Sequence, residues 1–142
     1  MSQAFTYRFR VRYAEVDAQA IVFNSRYLEY ADLMVSEFFR DRRPHGMPGD
    51  IEFHVRKAEV DYLAPIRFDE LIEGTLRVER IGGTSMTMRI DLRDADADER
   101  AGPRATIRLT QVHVDLAVGR PARIPDTVRR AFGFSTKATV DA

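Results

Sequence analysis

One stretch of the chain has the periodicity of a long amphipathic helix, and it lies among segments that alternate like strands. Across residues 25–40, apolar side chains recur at steps of three and four, which predicts a helix with a wide apolar stripe. Asn24 or Ser25 is a suitable N-cap. A single helix of this kind buries its stripe most simply against one apolar sheet face. The stripe comprises Tyr27, Leu28, Ala31, Met34, Val35 and Phe38.

The strand segments alternate apolar and polar side chains. The first spans residues 5–13, and four more follow the helix before a short C-terminal helix from Pro125 to about Phe132. The apolar phase slips near Arg56 and Lys57, and again late in the last strand, which indicates two β-bulges and a strongly curved sheet. Gly82 and Gly83 predict a two-residue hairpin with positive φ.

These elements predict an α+β fold in which a curved five-stranded antiparallel sheet wraps around one long central helix. Residues 1–142 are expected to form a single domain, with a flexible tail from about Gly133. An open sheet leaves exposed edges, and pairing of residues 51–63 with a second copy would close one of them. A symmetric homodimer is therefore expected.

The composition narrows the class of partner. Basic and acidic side chains number 22 each, so no nucleic-acid-binding field is expected. No apolar run approaches membrane-spanning length, and the N-terminus lacks the pattern of a signal peptide. The chain has no cysteine, which excludes thiolate chemistry and suits the cytoplasm.

Asp17 is the strongest candidate for chemistry, because it lies in a short loop seven residues before Asn24. A carboxylate beside a helix N-terminus can act as base or nucleophile, while the free N–H groups stabilise a developing oxyanion. The spacing alone leaves a simple turn residue equally open. His45 is a candidate base, although a lone histidine in a polar loop is more often only solvated.

The acidic run at residues 94–99 imitates a calcium loop. It lacks glycine at the sixth position, and Ala105 stands at the twelfth, where a bidentate glutamate is required. The run is therefore expected to be a solvated hairpin tip, and no metal site is predicted.

Four blocks of sequence carry a resemblance to a known family. They are VRYAEVD at 11–17, IVFNSRYLEY at 21–30, AEVDYLAP at 58–65, and VHVD at 112–115 with GRP at 119–121. With these blocks the chain resembles a hotdog-fold thioesterase of the 4-hydroxybenzoyl-CoA thioesterase family. The resemblance covers nearly the whole chain, from about Tyr7 to Phe132.

The resemblance implies hydrolysis of an acyl-CoA thioester. It implies that Asp17 attacks the thioester or activates water, and that a backbone N–H near Asn24 stabilises the oxyanion. Substrate-binding roles are expected for Phe23, Ser25 and Tyr27 around the helix start, and for Arg56, Lys57 and Arg89, which would meet the CoA phosphates at the rim. No cofactor is expected beyond the CoA of the substrate, and each site of the homodimer or homotetramer would borrow groups from its neighbour.

The chain departs from the family pattern at two positions. Ala20 stands where the family usually has glycine, which leaves the backbone of that loop open. Asn24 stands where several branches have His or Tyr, and asparagine cannot act as a general base. The histidines occupy none of the places that the hydratase branches require. A second class of function remains, that of a non-catalytic hotdog protein that binds acyl or aromatic ligands.

Overall fold

The computed structural model describes residues 4–136, which form one antiparallel sheet and two helices. The long helix α1 spans Arg26–Arg42, and the short helix α2 spans Asp126–Ala131. Short 3-10 turns lie at Tyr13–Glu15, Arg43–His45 and Glu99–Ala101. The strands are β1 Phe5–Arg10, β2 Phe53–Tyr62, β3 Leu71–Ile81, β4 Ser85–Asp94, β5 Ala105–Asp115 and β6 Arg120–Pro121.

The sheet confirms the predicted architecture. Its five long strands lie in the order β1-β3-β4-β5-β2, and every pairing is antiparallel. The two-residue β6 pairs with the end of β5. The sheet curls around α1, which is the hotdog arrangement. The free edges of this order are β1 on one side and β2 on the other.

The core forms between α1 and the concave face of the sheet. The helix buries the side chains of Tyr27, Tyr30, Ala31, Met34, Val35 and Phe38, and β3 and β4 bury alternate residues against them. Leu28, predicted as part of the stripe, is 43% exposed. Tyr30 takes its place in the core, because it lies on the side of the helix that faces β1, where its ring contacts Phe9.

Gly74 on β3 lets the helix approach the sheet closely. A methyl group at Gly74 would lie 2.7 Å from Cε of Met34 and closer still to its Sδ. Met34 is fully buried at the centre of α1, so it has little room to move. The glycine is therefore required by packing rather than by a turn.

We expect Gly74→Ala to lower the free energy of unfolding by about 1–3 kcal/mol, because overpacking forces Met34 away from its position. Chemical denaturation measures the change. Gly49→Ala is the matched control, since no atom lies within 4 Å of its added methyl. Met34→Ala should lower the free energy of unfolding less in the Gly74→Ala background than in the wild type. Additive losses of stability in the double variant would contradict a contact between the two residues.

One of the two predicted bulges is confirmed and the other is wrong. The register of β2 against β5 shifts between Val55 and Lys57, as predicted. The pairing of β5 with β4 is continuous from Ala105 to Val112, so β5 does not slip there. Instead Gln111 keeps the core-facing position and is 4% exposed, while the apolar residues change to the other face. The second register shift lies in β3, between Val78 and Arg80.

Two local predictions are also corrected. The first strand ends at Arg10, and Tyr13 lies in a 3-10 turn with 80% of its surface exposed. The connection between β3 and β4 has three residues, and Gly82 and Gly83 are not among the positive-φ glycines of residues 4–136. Their carbonyls instead accept hydrogen bonds from the buried guanidinium of Arg129, at 2.7 and 3.2 Å.

The predicted tail from Gly133 falls partly on residues 137–142, which lie outside the described residues. Within the described part, the N–H of Phe134 donates to the carbonyl of Arg129, and its side chain packs against the core. No helix between residues 4 and 136 is long and apolar enough to span a membrane.

Candidate active site

Asp17 lies at the first position of a tight loop between the Tyr13–Glu15 turn and α1. Its N–H donates to the carbonyl of Ile21 at 2.9 Å, and its Oδ1 accepts from the N–H of Gln19 at 2.8 Å. The N–H of Ile21 approaches the same oxygen at 3.4 Å. The carboxylate is exposed, and no group within residues 4–136 donates to Oδ2. The loop thus fixes one oxygen of Asp17 and leaves the other available.

The backbone of this loop takes the conformation that glycine would favour, although residue 20 is alanine. Ala20 has a φ of 60°, in the left-handed region. Its carbonyl accepts from the N–H of Phe68 at 3.0 Å, and the N–H of Val22 donates to Ile66 at 2.8 Å. These bonds anchor the Asp17 loop to the segment after β2. Ala20 thus adopts a left-handed backbone that glycine would adopt without strain.

We expect Ala20→Gly to raise the free energy of unfolding by about 0.5–1 kcal/mol. A left-handed alanine costs about 1–2 kcal/mol, which glycine would relieve. The greater conformational freedom of glycine in the unfolded chain offsets only part of this stabilisation. Ala18→Gly in the same loop is the control, because Ala18 has no positive φ and should only lose stability. Thermal denaturation that ranks the two variants equally would contradict the strain at Ala20.

The start of α1 presents two N–H groups that have no partner. The N–H of Arg26 donates to Phe23 at 2.9 Å, and that of Tyr27 to Asn24 at 3.4 Å. No acceptor within residues 4–136 takes the N–H of Asn24 or Ser25. Ser25 occupies the N-cap position, but its side chain makes no capping bond. Two free donors therefore lie beside the positive dipole end of a 17-residue helix.

A largely apolar cleft of about 280 Å³ lies at the start of α1, and Asn24 is one of its lining residues. The hydroxyl of Tyr62, at the end of β2, donates to the carbonyl of Asn24 at 2.9 Å. The rings of Tyr27 and Tyr62 meet edge to face, with centroids 4.9 Å apart. Burial raises the pKa of Tyr27, so its phenol stays protonated at neutral pH. The lining residues are Ile21, Val22, Asn24, Tyr27, Tyr62, Leu63, Ala64 and Pro65.

The structure brings some of the predicted site residues together and leaves others apart. Asn24 and Tyr27 line the cleft, whereas Asp17 lies in the preceding loop and is not among the lining residues. Phe23 and Ser25 flank Asn24 but do not line the cleft, and Phe23 is 51% exposed. Tyr62 and the segment after it were not predicted as site residues. Their sequence signal is the block at 58–65, one of the four that carry the resemblance.

The three predicted CoA-binding cations lie away from this cleft within one chain. Arg56 is the extra residue of the β2 bulge, about 20 Å along the strand from Tyr62. Lys57 pairs with Glu59 at 3.4 Å. Arg89 lies on β4, separated from β2 by β5, and its side chain pairs with Asp91 at 3.2 Å.

A buried carboxylate, missed by the sequence analysis, lies two residues before Asp17. Glu15 is 6% exposed and accepts hydrogen bonds from Arg12 and from the hydroxyl of Tyr30. Burial raises the pKa of Glu15, but these hydrogen bonds outweigh it and hold the pKa below its usual value. The resulting stabilisation is complete above the unfolded-state pKa of Glu15 and is lost as the pH falls through the lower folded-state value.

The histidines and the acidic loop take no part in this site. His45 is exposed in the turn after α1, His54 lies 3.0 Å from Glu52, and Nδ1 of His113 lies 3.0 Å from the carbonyl of Ala122. Within residues 4–136, no group of three or more His, Asp or Glu side chains is arranged to hold a metal ion. In the acidic loop, Asp94 and Asp98 accept from backbone N–H groups of the loop itself.

Comparison with known proteins places the chain in a family. Residues 19–101 match the thioesterase superfamily. A putative esterase of Aquifex aeolicus is 33% identical over 86 residues, which cover 58% of this chain and 67% of that protein. The acyl-CoA thioester hydrolase YbgC of Escherichia coli O6:H1 is 31% identical over 91 residues, 61% of this chain and 68% of the relative.

A solved structure agrees with these sequence relatives. The PA5185 protein of Pseudomonas aeruginosa superposes with a TM-score of 0.79 at 26% identity, over 90% of this chain and 88% of that chain. The fold and the site thus define a hotdog protein with a helix-end cleft. The chain belongs to the thioesterase superfamily, and its relatives support thioester hydrolysis as its class of activity. The matched span begins two residues after Asp17, so the roles of the site residues stay predictions.

Proposed function

We propose that the protein hydrolyses an acyl-CoA thioester to the free acid and CoA. The observation that carries this proposal is the pair of free N–H groups at the start of α1, that of Asn24, which lines the apolar cleft, and that of the adjacent Ser25. Such donors stabilise the oxyanion that forms when a thioester carbonyl is attacked. The anchored loop before the helix supplies a carboxylate with one uncommitted oxygen.

In the proposed mechanism the thioester carbonyl oxygen accepts from the N–H groups of Asn24 and Ser25. Asp17 then acts in one of two ways. As a nucleophile it forms an acyl-enzyme anhydride and releases CoA thiolate, and water hydrolyses the anhydride. As a base it removes a proton from water, which attacks the carbonyl carbon and expels CoA. Both routes consume one water and yield the acid and CoA.

The dimensions of the cleft favour a short or aromatic acyl group. Its volume of about 280 Å³ is near the lower end for ligand pockets, and two tyrosine rings form part of its wall. This character supports the assignment of the chain to the 4-hydroxybenzoyl-CoA thioesterase family within the superfamily. The exposed cations of β2, Arg56 and Lys57, are the proposed contacts of the CoA phosphates, with Arg89 on the outer face as a third.

The free edge of β2 supports a homodimer in which two copies of this strand pair. Val55 near the start of β2, Tyr62 at its end and Leu63 just after it are 49%, 54% and 58% exposed, so this edge presents large apolar side chains to solvent at both ends. Pairing of the edges would cover them and satisfy the unpaired backbone groups. The cleft lies at the end of β2, so each proposed site would stand at the boundary between subunits.

A hydrolysis assay tests the proposed function. The purified protein is mixed with acetyl-, hexanoyl-, palmitoyl- and benzoyl-CoA, and the released thiol is measured with a colorimetric thiol reagent. We expect release, fastest with the short or aromatic substrates. The same acyl groups on N-acetylcysteamine, which lacks the nucleotide, should show a higher KM. Tight binding of acyl-CoA without thiol release would instead support the non-catalytic ligand-binding alternative.

A further inference from the structure

We propose that Glu15 is a positioning residue that fixes the Asp17 loop and the start of α1 relative to each other. The inference rests on the proposed function, because it assigns Glu15 to the geometry of that site. It does not make Glu15 a catalytic residue, since the carboxylate binds Arg12 and Tyr30 and does not line the cleft.

The side chain of Glu15 joins its own turn, through Arg12, to helix α1, through Tyr30. Its Oε1 accepts from the N–H of Arg12 at 2.8 Å and from the hydroxyl of Tyr30 at 3.0 Å. Its Oε2 accepts from the guanidinium of Arg12 at 2.8 Å. Tyr30 is one turn inside α1 and only 3% exposed, with its ring packed on Phe9 of β1. The carboxylate therefore ties the turn before Asp17 to a fixed point of the helix.

The main chain of Glu15 makes a second connection. Its carbonyl accepts from the N–H of Phe23 at 3.1 Å, and Phe23 directly precedes Asn24. The neighbouring carbonyl of Ala14 accepts from the guanidinium of Arg26 at 3.3 Å. Glu15 is thus joined to residues on both sides of the proposed site, two positions before Asp17 and one contact away from the oxyanion donors.

An apolar residue could fill this buried position, but it could not set the register between the turn and the helix. Directional hydrogen bonds to both carboxylate oxygens do so, because each has a fixed partner and distance. Reacting groups that shift by about 1 Å can lose about a hundredfold in rate. Loosening of Glu15 should therefore lower turnover more than it lowers substrate binding.

The test uses Glu15→Gln, which keeps the size of the side chain and removes its charge, and Tyr30→Phe, which removes one donor. We expect kcat for the best acyl-CoA to fall by about 10–100-fold in Glu15→Gln and less in Tyr30→Phe, with KM within about threefold. Glu73→Gln is the control, because it breaks the comparable pair with Arg8 at 2.9 Å on the outer face. That variant should keep the wild-type kcat.

Amide hydrogen exchange gives a readout that needs no turnover. In Glu15→Gln the amides of Ile21 and Phe23 should exchange at least tenfold faster, while those of Met88 and Ile90 in the central strand β4 stay protected. If the wild type proves inactive on every thioester, the proposed function fails, and this local loosening alone still supports the positioning role. Unchanged kcat in both variants would overturn the inference, and so would a uniform loss of protection across the sheet.

Discussion

Asp17→Asn lowers kcat for acyl-CoA hydrolysis by about a hundredfold or more and leaves KM nearly unchanged, on the mechanism proposed above. Asparagine has the same shape and can still accept the N–H of Gln19 through its side-chain oxygen. It cannot act as a base or form an anhydride. No histidine lines the cleft within the described residues, so no imidazole there replaces the lost carboxylate.

Steady-state kinetics on the best acyl-CoA measure this effect. Asp69→Asn is the matched control, because Asp69 is an exposed carboxylate in the neighbouring turn. Its φ of 67° is one that asparagine tolerates well. The control should retain wild-type turnover and stability. Turnover near the wild-type value in Asp17→Asn would move the chemistry away from this loop.

Ala58→Pro should convert the proposed dimer to a monomer and abolish most of the activity. The N–H of Leu63 donates to Arg104 at 2.9 Å, and alternate residues of an antiparallel strand face the same neighbour. The N–H of Ala58 therefore points away from β5, at the free edge. Proline there removes an edge donor and keeps the pairing with β5, so the fold should survive.

Light scattering at micromolar concentration and the hydrolysis assay measure the two consequences together. Thr6→Pro on β1 is the control, because it places proline at the opposite edge of the same sheet. It should leave a dimer with normal turnover. A folded Ala58→Pro monomer with full activity would show that the proposed site is complete within one chain.

The architecture could be predicted from the sequence because its signals are local and repeated. The stripe of α1, the alternation of β3 and β4, and the slip at Val55–Lys57 each follow from the spacing of side chains along the strand or helix. The change of apolar phase in β5 led to a wrong prediction of a bulge. Late in this strand the apolar residues lie on the outer face, while Gln111 occupies the core position. A pattern of apolar residues cannot distinguish that exchange from a backbone slip.

The site was predictable only in the part that is contiguous in sequence. Asp17 and the start of α1 lie within one short stretch, and the left-handed Ala20 was marked by the departure from glycine. The other wall of the cleft comes from Tyr62 and Pro65, about forty residues later, and only the folded sheet brings it there. Glu15 lies in the block at 11–17, but its burial could not be predicted because it depends on Tyr30 across the loop.

A crystal structure with an acyl-CoA analogue tests the central claim most directly. The analogue carries a methylene between the sulfur and the carbonyl, so it cannot be hydrolysed. The proposed mechanism predicts the carbonyl oxygen within about 3 Å of the backbone nitrogen of Asn24 or Ser25. It also predicts an oxygen of Asp17 within about 3.5 Å of the carbonyl carbon, or joined to it through one water. A carbonyl bound away from the start of α1, out of reach of Asp17, would contradict the proposed thioesterase site.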